Sequence, residues 1–162
     1  MHNYSEKIAA PATTRNPNIA ISLPAAIAGG VVLIIYFMLL SLFDLQGQTE
    51  LRFINFVLLI PVVIYSIRTY MKNFHNKSYL EALRVSILAF WGSYAILAAF
   101  MIIYLLIINP SFMEYLQTYA VPGVKLNAFG AAALLIGEGS VGAVVLSFVT
   151  LQFFKDKLKR MA

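Results

Sequence analysis

Residues 21–43 read ISLPAAIAGGVVLIIYFMLLSLF, an apolar run without a single charged side chain. A helix rises about 1.5 Å per residue, so about 20 such residues cross a hydrocarbon core about 30 Å thick. Outward from this run the pattern recurs three times, at Phe53–Tyr70, Val85–Ile108 and Phe129–Phe154. The chain is 60% hydrophobic, above the roughly 45–50% of soluble domains, and its mean hydropathy is +0.80. These features predict an all-α, four-helix transmembrane bundle in a single domain. The membrane domain covers residues 21–154, with spans 21–43, 53–70, 85–108 and 129–154. A flexible tail, 1–20, precedes it and a basic tail, 155–162, follows it. The second span is the hardest to end, because Arg68 must reach the headgroup layer by snorkelling along its own stem.

The polar links orient the bundle. Lys7 and Arg15 lie in the N-terminal tail, Arg68, Lys72, Lys77 and Arg84 around the second link, and Lys155, Lys157, Lys159 and Arg160 in the C-terminal tail. The first and third links hold only Arg52 and Lys125. Basic residues stay on the cytoplasmic side, which predicts both termini and the middle link inside. The net charge of +5 is this topology signal, with attraction to anionic headgroups added. It does not indicate a nucleic-acid partner. Small residues open the first span instead of following it, so it reads as an uncleaved anchor and not as a secretory signal.

Several local signals refine the spans. Ser22 and Pro24 suit a helix start, since proline lacks an N–H that the first turn leaves unpaired. Gly29 and Gly30 thin the first helix where another helix can approach. Pro61, in mid-span, frees the carbonyl of Val57 and kinks the second helix; a packing kink and a gating hinge both fit. Ser78–Glu81 matches a capping box, so the third helix starts near Tyr79 and runs to Ile108. Asn109-Pro110 ends that helix and can cap another. Phe112, Met113, Tyr115, Leu116 and Tyr119 then recur at helical spacing, which predicts a short amphipathic helix on the outer surface, either a lipid-lying connector or a lid. Val121-Pro122-Gly123 follows as a turn.

Glu138 is the residue most out of place. It lies roughly 13 Å into the fourth span, where a charged carboxylate costs at least about 2.5–3.5 kcal/mol. Tyr36 matches its depth, and the carbonyl freed by Pro61 lies nearby in depth, so either could accept a proton from a neutral Glu138. A proton relay and a polar clamp between helices are the two readings. A relay needs a chain of titratable groups, and no second acid or histidine falls in any span. Gly139, Ala143 and Ser147 recur every four residues, a close-approach face for a helix of this bundle or of a partner. His2 and His75 stand alone in polar segments, without ligand spacing. With no cysteine, the chain has no disulfide and no thiolate metal site. No hydrolase triad or phosphate loop is visible, so neither an enzyme nor a cofactor is expected.

The segments KNFHNKSYLEAL (72–83) and NPSFMEYLQTY (109–119), with a glycine-rich last span closing on Phe154-Lys155, resemble a family of small four-helix membrane proteins. That family is common in Bacteroidota and known as a domain of unknown function. The likeness covers about Asn55 to Lys157; the family carries glycines where this chain has Asn76 and Lys77. The resemblance implies four helices and a bacterial inner membrane, and brings no catalytic residues. Together these features predict an accessory or assembly subunit of a larger membrane complex, with the lipid bilayer and other membrane subunits as partners. The alternative is a small ion- or proton-coupled permeation unit, as a homo-oligomer, using Glu138.

Overall fold

The computed structural model describes residues 17–73, 78–120 and 126–159. The N-terminal tail with His2, the link residues 74–77 with His75, the turn at Val121-Pro122-Gly123 and the last three residues lie outside the described residues. Helices α1 (Pro17–Leu42), α2 (Thr49–Asn73), α3 (Tyr79–Ile103), α4 (Pro110–Tyr115) and α5 (Ala128–Lys159) follow one another, with no strand among the described residues. α3 is prolonged to Ile108, and α4 to Ala120, by widened π turns. Four of the helices are long and apolar enough to cross a membrane: Asn18–Leu42, Glu50–Asn73, Tyr79–Ile108 and Ala128–Lys155. The protein is a small multi-pass integral membrane protein built as an all-α four-helix bundle.

The long helices extend past the apolar runs. α1 begins at Pro17, so Pro24 lies inside the helix instead of starting it. Pro17 suits the first helical position for the reason given for Pro24. α2 begins at Thr49, which moves Arg52 out of the link and one turn into the helix. The remaining link is short because α1 ends in a Schellman turn. Leu45 N–H donates to the Leu40 carbonyl at 2.9 Å, and Asp44 N–H to that of Ser41 at 3.3 Å. Asp44 takes the left-handed conformation this motif requires, with φ 56°.

α3 is the central helix, in contact with α1, α2 and α5. Its buried positions include Ala82, Ser86, Ala89, Phe90, Ser93, Tyr94 and Leu97. Glycine lets its neighbours come close. A Cβ on Gly30 of α1 would lie 2.7 Å from the Ile96 side chain, and one on Gly92 of α3 would lie 2.7 Å from the Ala26 Cβ. On the other side, Gly139 of α5 faces the Tyr94 ring, and Gly142 faces Phe56 and Phe90. The buried hydroxyls of Ser66, Ser86 and Ser93 donate to carbonyls of their own helices at 2.9 Å. They therefore add small volume without leaving an unpaired donor in the core.

The expected capping box at Ser78 is not formed. α3 does begin at Tyr79, but the Ser78 side chain makes no cap hydrogen bond. Glu81 is drawn elsewhere. One carboxylate oxygen pairs with Arg84 at 2.6 Å and the other accepts from the Asn18 amide at 2.5 Å, which ties the start of α1 to the start of α3. The Ser78 backbone N–H donates instead to the Tyr70 hydroxyl at 3.3 Å. Arg68 is exposed on α2.

The two glycines either side of Glu138 make a clean pair of tests. Gly139→Leu drives a side chain into Tyr94 and is expected to cost at least about 1–3 kcal/mol. Nothing lies within 4 Å of a Cβ on Gly137, so Gly137→Leu is expected to leave stability within about 0.5 kcal/mol. Denaturant unfolding in bicelles measures both, and equal losses would contradict this packing.

Candidate functional site

At the end of the bundle that carries the short α1–α2 link, the four long helices part around a cavity of about 120 Å³. Each element contributes from its last or first turns at that end. Tyr36 and Phe37 come from α1, Arg52 and Asn55 from α2, Leu97 and Met101 from α3, and Ala131, Leu135 and Glu138 from α5. Gln46 and Gln48 of the link add two amides. A shallower recess at the same end shares Gln46, Gln48 and Phe112 with it and continues to Asp44, Asn109 and Tyr115.

α4 closes part of the opening. Asn109 caps it as its sequence suggests, its side-chain oxygen accepting from Phe112 N–H at 3.1 Å. Phe112 and Leu116 are buried and line the cavity. The apolar face of the amphipathic helix is thus taken up by the protein itself, not by lipid alone. Phe112 packs with Phe37 and Tyr104, and Tyr104 holds the end of α1 through a 2.7 Å hydrogen bond with Ser41. The Gln117 amide fastens α4 to the approach of α5 by donating to the Leu126 carbonyl at 2.7 Å.

Toward the middle of the bundle the cavity stops. Below Leu97 on α3 come Tyr94 and Phe90, stacked with centroids 5.4 Å apart, and Phe56 of α2 stacks on Phe90 at 6.2 Å. Gly139 and Gly142 press α5 onto these rings. Leu59, Val63 and Ile67 then fill the core with no exposed surface.

Glu138 faces this cavity. Ten residues after the start of α5, it lies about 15 Å along that helix. Arg52, near the mouth, faces the same space. The two opposite charges do not form an ion pair within 4.0 Å, and neither has a hydrogen bond to another described residue. Among the described residues three further buried polar atoms lack partners: the Oε1 of Gln46 at the cavity, the hydroxyl of fully buried Tyr94 beneath it, and the Ser147 hydroxyl farther along α5. Such groups are costly in a low-dielectric interior.

Of the residues singled out from sequence, Tyr36 and Glu138 line one cavity. Tyr36 does not bond Glu138, however; its hydroxyl donates to the Leu51 carbonyl at 3.0 Å and clips α1 to the first turn of α2. Pro61 and Val57 lie on the exposed face of α2, outside the cavity. Gly139, Ala143 and Ser147 are all buried and turned into the bundle. Sequence reasoning missed Arg52, Asn55, Gln46 and Gln48. Arg52 and Asn55 stand three apart, one helical turn, which was the available sign that both belong to a helix face.

The chain matches no protein-family model, no curated protein and no solved structure.

The absence of native cysteine makes water access easy to test. Cysteines at Arg52 and Glu138 are expected to react with a small water-soluble thiol reagent, and one at Val63 to stay inert over the same time. Reaction at Val63 as fast as at Glu138 would mean that water passes the aromatic stack.

Proposed function

We propose that this protein is an accessory subunit that docks a larger membrane complex through the outer face of α5. The supporting observation is on that face. Ala133, Gly137 and Val141 follow at intervals of four and are exposed, with open space over Gly137. Farther along the helix Val144, Val145 and Phe148 continue the face, all at least half exposed. The small residues Ala133 and Gly137, continued along the helix by an exposed apolar surface, fit an incoming helix, since close backbone approach drives association where lipid removes the hydrophobic force. This face differs from Gly139, Ala143 and Ser147, whose small size serves packing within the chain. By the charge distribution of the links, the cavity end faces away from the cytoplasm, with both termini inside. A bacterial inner membrane is the setting that the sequence resemblance favours.

The alternative is a proton or ion permeation unit built on Glu138, which its position in a polar cavity favours. The filled core between Glu138 and the opposite end weighs against a path through a single bundle.

Purification in mild detergent tests the proposal. Co-purification of a larger complex is expected, with Gly137→Leu and Ala133→Leu each reducing it while leaving the bundle folded. A lone homo-oligomer, or a pH-driven flux in liposomes that Glu138→Gln abolishes, would overturn it in favour of permeation.

A further inference from the structure

The cavity carries an inference that rests on residues other than Ala133, Gly137 and Val141. It presents a guanidinium from Arg52 and a carboxyl from Glu138, which share one space without pairing. Whatever lies between them must accept from Arg52 and donate to Glu138. The unpartnered Gln46 Oε1, on the same wall, also asks for a donor. A hydroxyl group does both. An ion of either sign would satisfy one charge and face the other unfavourably, so an uncharged head fits best.

Tyr36, Gln48 and Asn55 add polar edges, and the rest of the lining is apolar, with Phe37, Leu97, Met101 and Phe112 among its walls. The volume of about 120 Å³ suits a small head and not a whole lipid. One wall gives a way out for an apolar tail: Leu134 lines the cavity and is also 55% exposed on α5. A chain leaving past Leu134 enters the surrounding hydrocarbon at the depth of the acyl region. Binding pockets of this kind, mostly apolar with a few polar groups that orient the ligand, are the common form of small-molecule site.

We propose that the cavity binds an uncharged amphiphile with a hydroxylated head, of the class of monoacylglycerols and long-chain alcohols. The head sits between Arg52 and Glu138, and the tail passes Leu134 into the bilayer.

The test uses the full chain in phosphatidylcholine nanodiscs and a monoacylglycerol carrying a photoactivatable diazirine in its acyl chain. Saturable labelling is expected at Leu134 and its neighbours on the cavity wall. Excess 1-oleoylglycerol or oleyl alcohol should compete, whereas oleate and oleylamine should not. Arg52→Leu and Glu138→Leu should each weaken labelling about ten-fold or more, the weight of one hydrogen bond to a charged group. Ala131→Trp fills the cavity while leaving both charged residues in the sequence and should abolish labelling, so a loss does not depend on charge variants that fail to fold. Non-saturable labelling, which leaves water as the occupant, would overturn the proposal. So would equal competition by oleate or oleylamine, or full labelling of a folded Ala131→Trp protein. None of these outcomes bears on partner docking, which is read by co-purification.

Discussion

The distance at which α1 and α5 can approach α3 governs the rest of this structure. In lipid, apolar side chains gain little by leaving their surroundings for one another, so helices associate through close packing and a few hydrogen bonds. Gly29, Gly30 and Gly92 supply that closeness on the α1 side, and Gly139 and Gly142 on the α5 side. Where these glycines act, the bundle is tight enough for Phe90 and Tyr94 to be wholly buried. Where they end, the side chains grow larger and the helices part. The cavity is the geometric result: it begins on α5 at Glu138, immediately before the first of the close-packed glycines.

Among the described residues, this arrangement leaves Arg52, Glu138 and the Gln46 amide oxygen unpaired at one end. The opposite end is tied by surface contacts, Asn18 to Glu81 and Gln152 to Tyr79, with a closed hydrocarbon core above them. The cavity end instead holds an acid, a cation and several amides within a few turns of one another. Short connections bring them there. The Schellman turn at Asp44 keeps the α1–α2 link so brief that Gln46 and Gln48 cannot leave the mouth. α4 folds its apolar face over the same opening. The polar groups are thus held in place by the connections as much as by the spans.

The spans were legible in the sequence because hydrocarbon solvent imposes a strong rule on composition, and the charge-free run at 21–43 obeys it throughout. Their ends were less legible. Polar residues at an interface can stay helical as readily as unwind, so α1 reaches back to Pro17 and α2 to Thr49, beyond the apolar signal. The Ser78–Glu81 pattern specified the start of α3 but not its bonding, because Asn18, sixty-three positions away, takes the carboxylate. The site was half legible. The depth of Glu138 and Tyr36 could be counted along two helices, which placed both at one level. Rotation about each helix axis could not be counted. It decides that Arg52 and Asn55 face Glu138 while Pro61 faces outward, and it is set by glycine contacts between helices distant in sequence.

The pairing of α1 with α3 also has a consequence for biogenesis. A chain emerges from the ribosome in order, so α1 enters the bilayer while the helix that fills its Gly29–Gly30 groove is still unmade. α2 is the only partner within reach until Gly92, Ser93 and Ile96 have been synthesised. Insertion and folding are therefore separate events for this protein: the first helix waits in lipid, its groove open, for the third.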